Sequence, residues 1–370
     1  MKTVRRLLYT DIVSSVVFVA LAFLSLFFFI DFVEELADVD KDYSAFHAAL
    51  YSLLELPGHL YELSPIAVLI GTIYALSRLA QSSEFTILRT GGLAPGRALS
   101  LLVCLGVAFG VITFVVGDYV SPLSERAAAL VQARHKGGYS FGDSGAWLKD
   151  RIVTPQGERS YSVHVQRASA GGELLNIRVF EFDGDGRLLR RISAASGRVG
   201  ANDVWALSDV SITDWSGSAA PSERLNVLEE KLSTYNWPST LSANVVAAAV
   251  LPENSMSTLG LFRYITHLAD NEQAAQRYEI KFWKRALYPL ACLVMVGLAL
   301  PFAYLHARAG GVSLKVFGGI MLGISFVLLN NVAAHLGLLR GWTPWMVAAA
   351  PSLIYLLLSF AAFSWLVRYR

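Results

Sequence analysis

Two overlapping serine patterns are the first residues here that suggest chemistry. Gly138-Tyr139-Ser140-Phe141-Gly142 has the G-x-S-x-G spacing of a nucleophile elbow, and Ser144 follows between Asp143 and Gly145. An elbow exposes its serine where a strand turns sharply into a helix. Here a helical pattern, Ser121 to Ala133, precedes the serines, and a strand pattern opens at Ala146-Trp147 behind them. The segment therefore reads as a glycine-rich entrance to a β domain. A periplasmic or intramembrane hydrolase using Ser140 or Ser144 is the weakest of three functional readings. Metal chemistry has as little to build on. The histidines, at 47, 59, 135, 164, 267, 306 and 335, form no H-E-x-x-H and no i, i+4 pair. His59 and Glu62 stand one helical turn apart, a spacing common by chance. Asp183-Gly184-Asp185-Gly186 lacks the downstream acid of a calcium loop and predicts a hairpin turn instead. Cys104 and Cys292 both fall in apolar runs, which leaves neither a disulfide framework nor a cysteine zinc site. No G-x-x-x-x-G-K-[ST] occurs, so the chain has no P-loop with which to hydrolyse ATP.

The elements that must position these residues follow from composition. Of 370 residues, 54% are hydrophobic and only 16% charged, with a mean hydropathy of +0.46, whereas soluble domains carry about a quarter charged residues. A net charge of +2 excludes a simple phosphate-backbone binder, and no nucleic acid is expected. Six apolar stretches are long enough to cross a bilayer: Ile12 to Ile30, Leu60 to Ser77, Ala98 to Gly117, Ala286 to Leu305, Val316 to Ala334 and Trp345 to Val367. The first could pass for a signal peptide, but apolar residues continue past the Ala20-Leu21-Ala22 site, and it reads as an uncleaved anchor. Lys2, Arg5, Arg6, Arg78, Arg89, Arg97, Arg308, Lys315, Arg368 and Arg370 all fall on one side of these spans. The opposite short loops hold only Lys41 and Arg340, so both termini are expected in the cytoplasm. Gly106 to Gly110 and Gly319 to Gly323 are G-x-x-x-G pairs, read as packing faces.

Polar residues at membrane depth are functional suspects. Asn330 and Asn331 end span five. Asp31, Glu34 and Glu35 end span one, with Lys41 beyond; they mark the outer water interface or line a site for a charged headgroup. Between spans three and four the texture changes to alternation, as in Tyr161 to Gln166 and Asn176 to Phe182, with Arg187 to Ile192, Val204 to Leu207 and Arg224 to Leu232 extending the series. Short strands at this spacing predict a β-sandwich or barrel-like domain at about 138–251, flanked by helices. Residues 1–117 then hold spans one to three, 118–277 the region outside, and 278–370 spans four to six. On the cytoplasmic side, residues about 82–92 predict a short helix capped by Ser82 or Ser83, with Glu84 in its first turn and Gly91 or Gly92 at its end. Phe85 and Leu88 share one face of it, suited to a groove on a partner or to lipid.

In motif order and layout the chain resembles the LptF/LptG family, the paired permeases of the bacterial lipopolysaccharide exporter, and within it the LptG branch. The resemblance covers nearly the whole length. It rests on Leu79-Ala-Gln-Ser-Ser-Glu84 with Gly91-Gly92, on Gly145-Ala-Trp-Leu-Lys-Asp150, and on Arg277-Tyr-Glu-Ile-Lys-Phe-Trp283. It implies an α-helical membrane protein of six transmembrane helices, three and three, with an inserted periplasmic all-β, jellyroll-like domain. It also implies a non-catalytic subunit of the bacterial inner membrane. Its partners would be a sister permease, LptF, two copies of the ATPase LptB, and LptC through the β domain. No cofactor would reside in this chain, because ATP and Mg²⁺ would bind the ATPase. By position, Glu84 would be the coupling-helix acid that meets a basic residue of the ATPase, and Phe85, Ile87, Leu88 and Arg89 would complete the docking surface. Asp31, Glu34, Glu35 and Lys41 would border the lateral gate. Where the enterobacterial pattern has basic residues there, this chain has Asp31, Glu34, Glu35 and Asp38. Either a divalent cation bridges these acids to lipid phosphate, or the basic contacts come from the sister subunit.

The leading expectation is thus an exporter permease that extracts lipopolysaccharide and passes it to a periplasmic bridge. The second functional reading, of another class, is an envelope scaffold or sensor whose β domain binds a partner without transport.

Overall fold

The structure is a computed structural model that describes residues 2–40, 43–135, 139–140, 146–154, 157–168, 173–200, 204–216, 226–239, 241, 256–270, 275–304 and 311–368. Six of its helices are long and apolar enough to cross a membrane. In chain order the first elements are α1 (Lys2–Leu36), α2 (Ala45–Gln81), α3 (Glu84–Thr90), α4 (Pro95–Val115), a π-helical turn (Val116–Val120) and α5 (Ser121–His135). Seven strands follow: β1 (Tyr139–Ser140), β2 (Ala146–Thr154), β3 (Gly157–Ala168), β4 (Leu174–Phe182), β5 (Leu188–Val199), β6 (Val204–Ser216) and β7 (Asn226–Pro238). The chain ends with α6 (Thr258–Asp270), α7 (Gln276–Tyr304), α8 (Val312–Arg340) and α9 (Pro344–Arg368). It divides into two compact units, one of residues 1–34, 52–124 and 276–370, the other of residues 35–51 and 125–275.

In the helical unit the core is lined by Ile12 and Val16 of α1, Val68 to Leu79 of α2, Leu102 and Leu105 of α4, and Ala291 to Tyr304 of α7. Both G-x-x-x-G pairs act as packing faces. A Cβ on Gly106 would lie 3.1 Å from the Leu293 Cα and one on Gly110 2.9 Å from the Pro289 carbonyl oxygen, so α4 meets α7 backbone to backbone. Gly319 and Gly323 likewise seat Ile73 and Ile66 of α2. The tightest approach to another helix's backbone lies elsewhere: a Cβ on Gly71 would stand 2.6 Å from the Val16 Cα. Gly71→Ala is therefore expected to lower stability by about 1–3 kcal/mol, read as a fall in the thermal midpoint of the detergent-solubilised protein. An unchanged midpoint would mean that α1 simply yields.

The helices outrun the apolar runs that announced them. The second span, expected from Leu60, belongs to a 37-residue helix that begins at Ala45 and carries Pro57 and Pro65 internally. Each proline removes one backbone donor, and the helix continues through both.

In the other unit the strands form one antiparallel sheet in chain order, β1-β3-β4-β5-β6-β7, with β2 also paired to β3. Leu148, Val163, Val179, Ile192 and Ile212 make one inward row across five strands, all buried. The next inward row is polar: Asp150, Tyr161, Glu181, Arg190 and Asp214. Its charges are matched, Arg159 with Glu181, Arg190 with Asp214 (2.5 and 3.1 Å), and Asp150 accepting from Ser239 Oγ at 2.8 Å. The hydrogen bonds to Glu181 and Asp214 hold both guanidinium groups above their ordinary range, while burial and the Glu181 charge push the Tyr161 phenol up. Asn176 and Asp209 have φ near +53° and +52°. The inward positions of β6 shift phase there, from Trp205 and Leu207 to Val210 and Ile212. Beyond this line Trp205, Leu207 and Trp237 are buried in the same cluster as the inward row. The Asp183 turn closes the β4–β5 hairpin: Oδ1 accepts from the Asp185 and Arg187 amides at 3.0 and 2.8 Å, with Gly186 at φ +79°.

Candidate functional site

The short helix expected at 82–92 is α3, and its seven residues divide sharply between two environments. Phe85 is 4% exposed; its ring meets Tyr304 of α7 edge-on at 5.1 Å. Leu88 packs against the same core, and the Arg89 guanidinium lies 5.8 Å over the Tyr304 ring. Glu84 and Ile87 face outward, Ile87 at 66% exposure. Phe85 and Leu88 were expected on the surface offered to a partner. Instead they pin the helix to its own bundle, because the amphipathic stripe of a seven-residue helix finds an internal groove. Of the five residues expected to dock, Glu84, Ile87 and Arg89 are the exposed ones, with Glu84 and Ile87 one turn apart.

The capping expectation also changes. Ser83 occupies the N-cap position but in a left-handed conformation (φ 61°, ψ 2°), and its hydroxyl makes no cap bond. Ser82 Oγ reaches back to the Leu79 carbonyl at 3.3 Å. A side chain caps from an extended residue; here a tight reversal joins α2 to α3. At the other end Gly91 and Gly92 terminate α3 as expected, their amides donating to Ile87 and Arg89 carbonyls at 2.9 and 3.1 Å, with Gly92 at φ +99°. Nearby, Arg78 pairs with Asp11 at 2.9 Å and ties α2 to α1. Sequence reasoning overlooked Asp11, although one acid at the threshold of an apolar helix was the available signal.

At the far end of α1 the acids are not gathered into one site. Asp31 Oδ2 lies 2.7 Å from His59 Nε2 of α2, and the imidazole stacks on Phe27 with centroids 4.7 Å apart. Asp31, and not Glu62, is therefore the partner of His59. Glu35 accepts from Tyr43 Oη at 2.7 Å and from Gln132 Nε2 at 3.4 Å. Burial and this acid together push the Tyr43 phenol up, so it stays a donor. Glu34 is exposed, and Lys41 lies outside the described residues. Among the described residues no three His, Cys, Asp or Glu side chains gather as a metal set.

A further polar group, absent from any sequence expectation, sits where α4 passes through its π-helical turn. Arg285 of α7 donates from Nη2 to the Gly117 carbonyl, stands 3.9 Å from Asp118, and covers the Tyr61 ring at 5.6 Å. Both charged side chains are nearly enclosed, at 9% and 11% exposure. Tyr61 also packs against Tyr288, whose hydroxyl donates to the Glu62 carbonyl at 2.5 Å. A Cβ on Gly117 would overlap the Tyr61 ring. The serine reading finds no support in this geometry. Ser140 lies in the two-residue strand β1, paired with Arg167, and the next described element is a strand. Ser144 falls outside the described residues.

Comparison with known proteins agrees with this architecture. The family model described as lipopolysaccharide export system permease LptF/LptG matches residues 6–366. The lipopolysaccharide export system permease protein LptG of Escherichia coli K12 is 26% identical over 334 residues, 89% of each chain. The LptG of Haemophilus influenzae is 25% identical over 338 residues, again 89% of each chain. With six membrane-length helices, a β domain between the third and fourth, and a match running from residue 6 to residue 366, the chain belongs to the LptF/LptG family.

Proposed function

We propose that this chain is the LptG-type permease of an ATP-driven lipopolysaccharide exporter, working beside a sister permease, LptF, and powered by two copies of a cytosolic ATPase, LptB. The observation that carries this reading is the family match across both halves of the helical unit and the β domain between them. Lipopolysaccharide enters a cavity between the two permeases from the outer leaflet and leaves toward a periplasmic bridge that includes LptC. Both termini and α3 face the cytoplasm, in keeping with the Lys and Arg bias of the loops. Moving each acyl CH₂ out of an apolar environment costs about 0.8 kcal/mol, so the cargo requires an external energy source, and the sequence contains no P-loop. Glu84 and Ile87 receive the ATPase, and Phe85, Leu88 and Tyr304 relay its movement to α7.

Affinity purification from the native membrane in mild detergent, followed by mass spectrometry, is expected to recover a P-loop ATPase and a second six-span protein. Glu84→Ala is expected to reduce the ATPase recovered and leave the sister permease in place. Repeated recovery of the chain alone would overturn the transporter reading in favour of an envelope scaffold. Full ATPase recovery with Glu84→Ala would overturn the coupling role of that acid.

A further inference from the structure

The outward face of the β domain has a composition that folding does not require. Its inward row, Leu148, Val163, Val179 and Ile192, fixes which neighbours point away from the core, since side chains alternate along a strand. Two outward rows flank it. The first reads Trp147, His164, Arg178 and Ser193 across β2, β3, β4 and β5. The second reads Lys149, Ser162, Phe180 and Arg191 across the same strands. These eight positions hold three rings, three cations and two hydroxyls, and no carboxylate.

The rings form one surface. Trp147 is 56% exposed, its centroid 4.6 Å from that of His164 and 6.1 Å from that of Phe180, nearly parallel to the latter. Trp147 and Phe180 belong to different rows, so the indole leans diagonally across Ser162, whose small side chain leaves room for it. Lys149, Arg178 and Arg191 stand around this platform and are exposed. Arg191 is further held 6.0 Å over the Trp215 ring of β6. An indole half in water, beside two half-buried rings and three exposed cations, presents a flat platform with positive charge around it.

We infer that this face binds the phosphorylated saccharide portion of lipopolysaccharide. The inference rests on the permease reading, which supplies such a ligand. Sugar rings offer flat C–H faces that settle on an indole, their hydroxyls take hydrogen bonds from Ser162 and Ser193, and phosphate is the natural partner of arginine. An acidic polypeptide would satisfy the charges but not the platform. Polypeptides that join a sheet do so through main-chain hydrogen bonds along an edge; β2 is an edge strand, but the rings and cations are side chains on the sheet's face and would take no part in that pairing.

The probe is the saccharide released from lipopolysaccharide by mild acid, with phosphates intact, titrated onto the purified full-length chain in detergent. Binding is expected, with affinity falling on the order of tenfold for Trp147→Ala, for Arg178→Glu, and for the saccharide stripped of phosphate. Trp147→Phe, which keeps a ring, is expected to retain most of the binding. All these positions face water, and an unchanged thermal midpoint shows that the variants fold. Equal affinity in wild type and Trp147→Ala, equal affinity for the dephosphorylated saccharide, or no binding at all overturns the inference. So does polyglutamate competing as well as the saccharide, which would mark the face as a docking surface for an acidic protein. Intact lipopolysaccharide carried through purification is quantified separately. Its presence without saccharide binding removes only this site, and its absence counts against the permease reading itself.

Discussion

Phe85→Ala is expected to abolish export by freeing α3 from the bundle, whereas Ile87→Ala should weaken ATPase recovery without disturbing the helix. The two residues are neighbours on seven residues of helix but differ completely in surroundings, 4% against 66% exposed. Emptying the Phe85 site costs about 3–5 kcal/mol of packing. A helix this short has almost no stability of its own, so that loss exceeds what holds it. Truncating Ile87 removes no internal contact of comparable size, and its effect appears only with the partner present. Limited proteolysis separates the cases, since cleavage between Ser82 and Leu93 should accelerate in Phe85→Ala alone. Wild-type protease resistance in Phe85→Ala would show that Leu88 and Arg89 suffice to anchor α3.

The other large effect is expected at Arg285. Arg285→Ala leaves Asp118 enclosed without its guanidinium and the Gly117 carbonyl without that donor. Removing one member of a buried pair costs about 3–5 kcal/mol, and the non-aqueous surroundings offer little water as a substitute. The thermal midpoint in detergent should drop further for Arg285→Ala than for Asp118→Asn, which removes the charge and keeps a polar group. Combining Arg285→Met with Asp118→Leu should recover part of the loss, because no uncompensated charge then remains. A midpoint as low for the double variant as for Arg285→Ala would place the contribution in the Gly117 and Tyr61 contacts rather than in the ion pair.

What the sequence made legible depended on whether a signal was local. Apolar runs located the six spans because bilayer thickness sets a length, and the two G-x-x-x-G pairs named real packing faces because i and i+4 share a side of a helix. Residues Ala45 to His59 lie before the expected start of the second span at Leu60, because their mix of polar and apolar residues is no bilayer-length apolar run, yet the helix includes them. The alternation in β6 was followed only to Leu207, since Asp209 resets the phase while the strand runs on to Ser216. The partner of His59 lies on another helix, at Asp31, which no spacing rule reaches. In α3 the stripe was visible but not its direction. A pattern of apolar residues states that a face is covered, not by what.

The π-helical turn at Val116–Val120 adds a constraint of a different kind. The Ser121 amide bonds the Val116 carbonyl, five residues back, so this turn holds one residue more than an α-helical turn. Each helical residue advances the chain by about 100° around the axis. The extra residue therefore sets the angular phase of everything after it. Ser124, whose hydroxyl donates to the Leu54 carbonyl at 2.5 Å, faces that carbonyl only in the present phase. Within this turn the number of residues, more than their identity, decides which side of the helix looks inward.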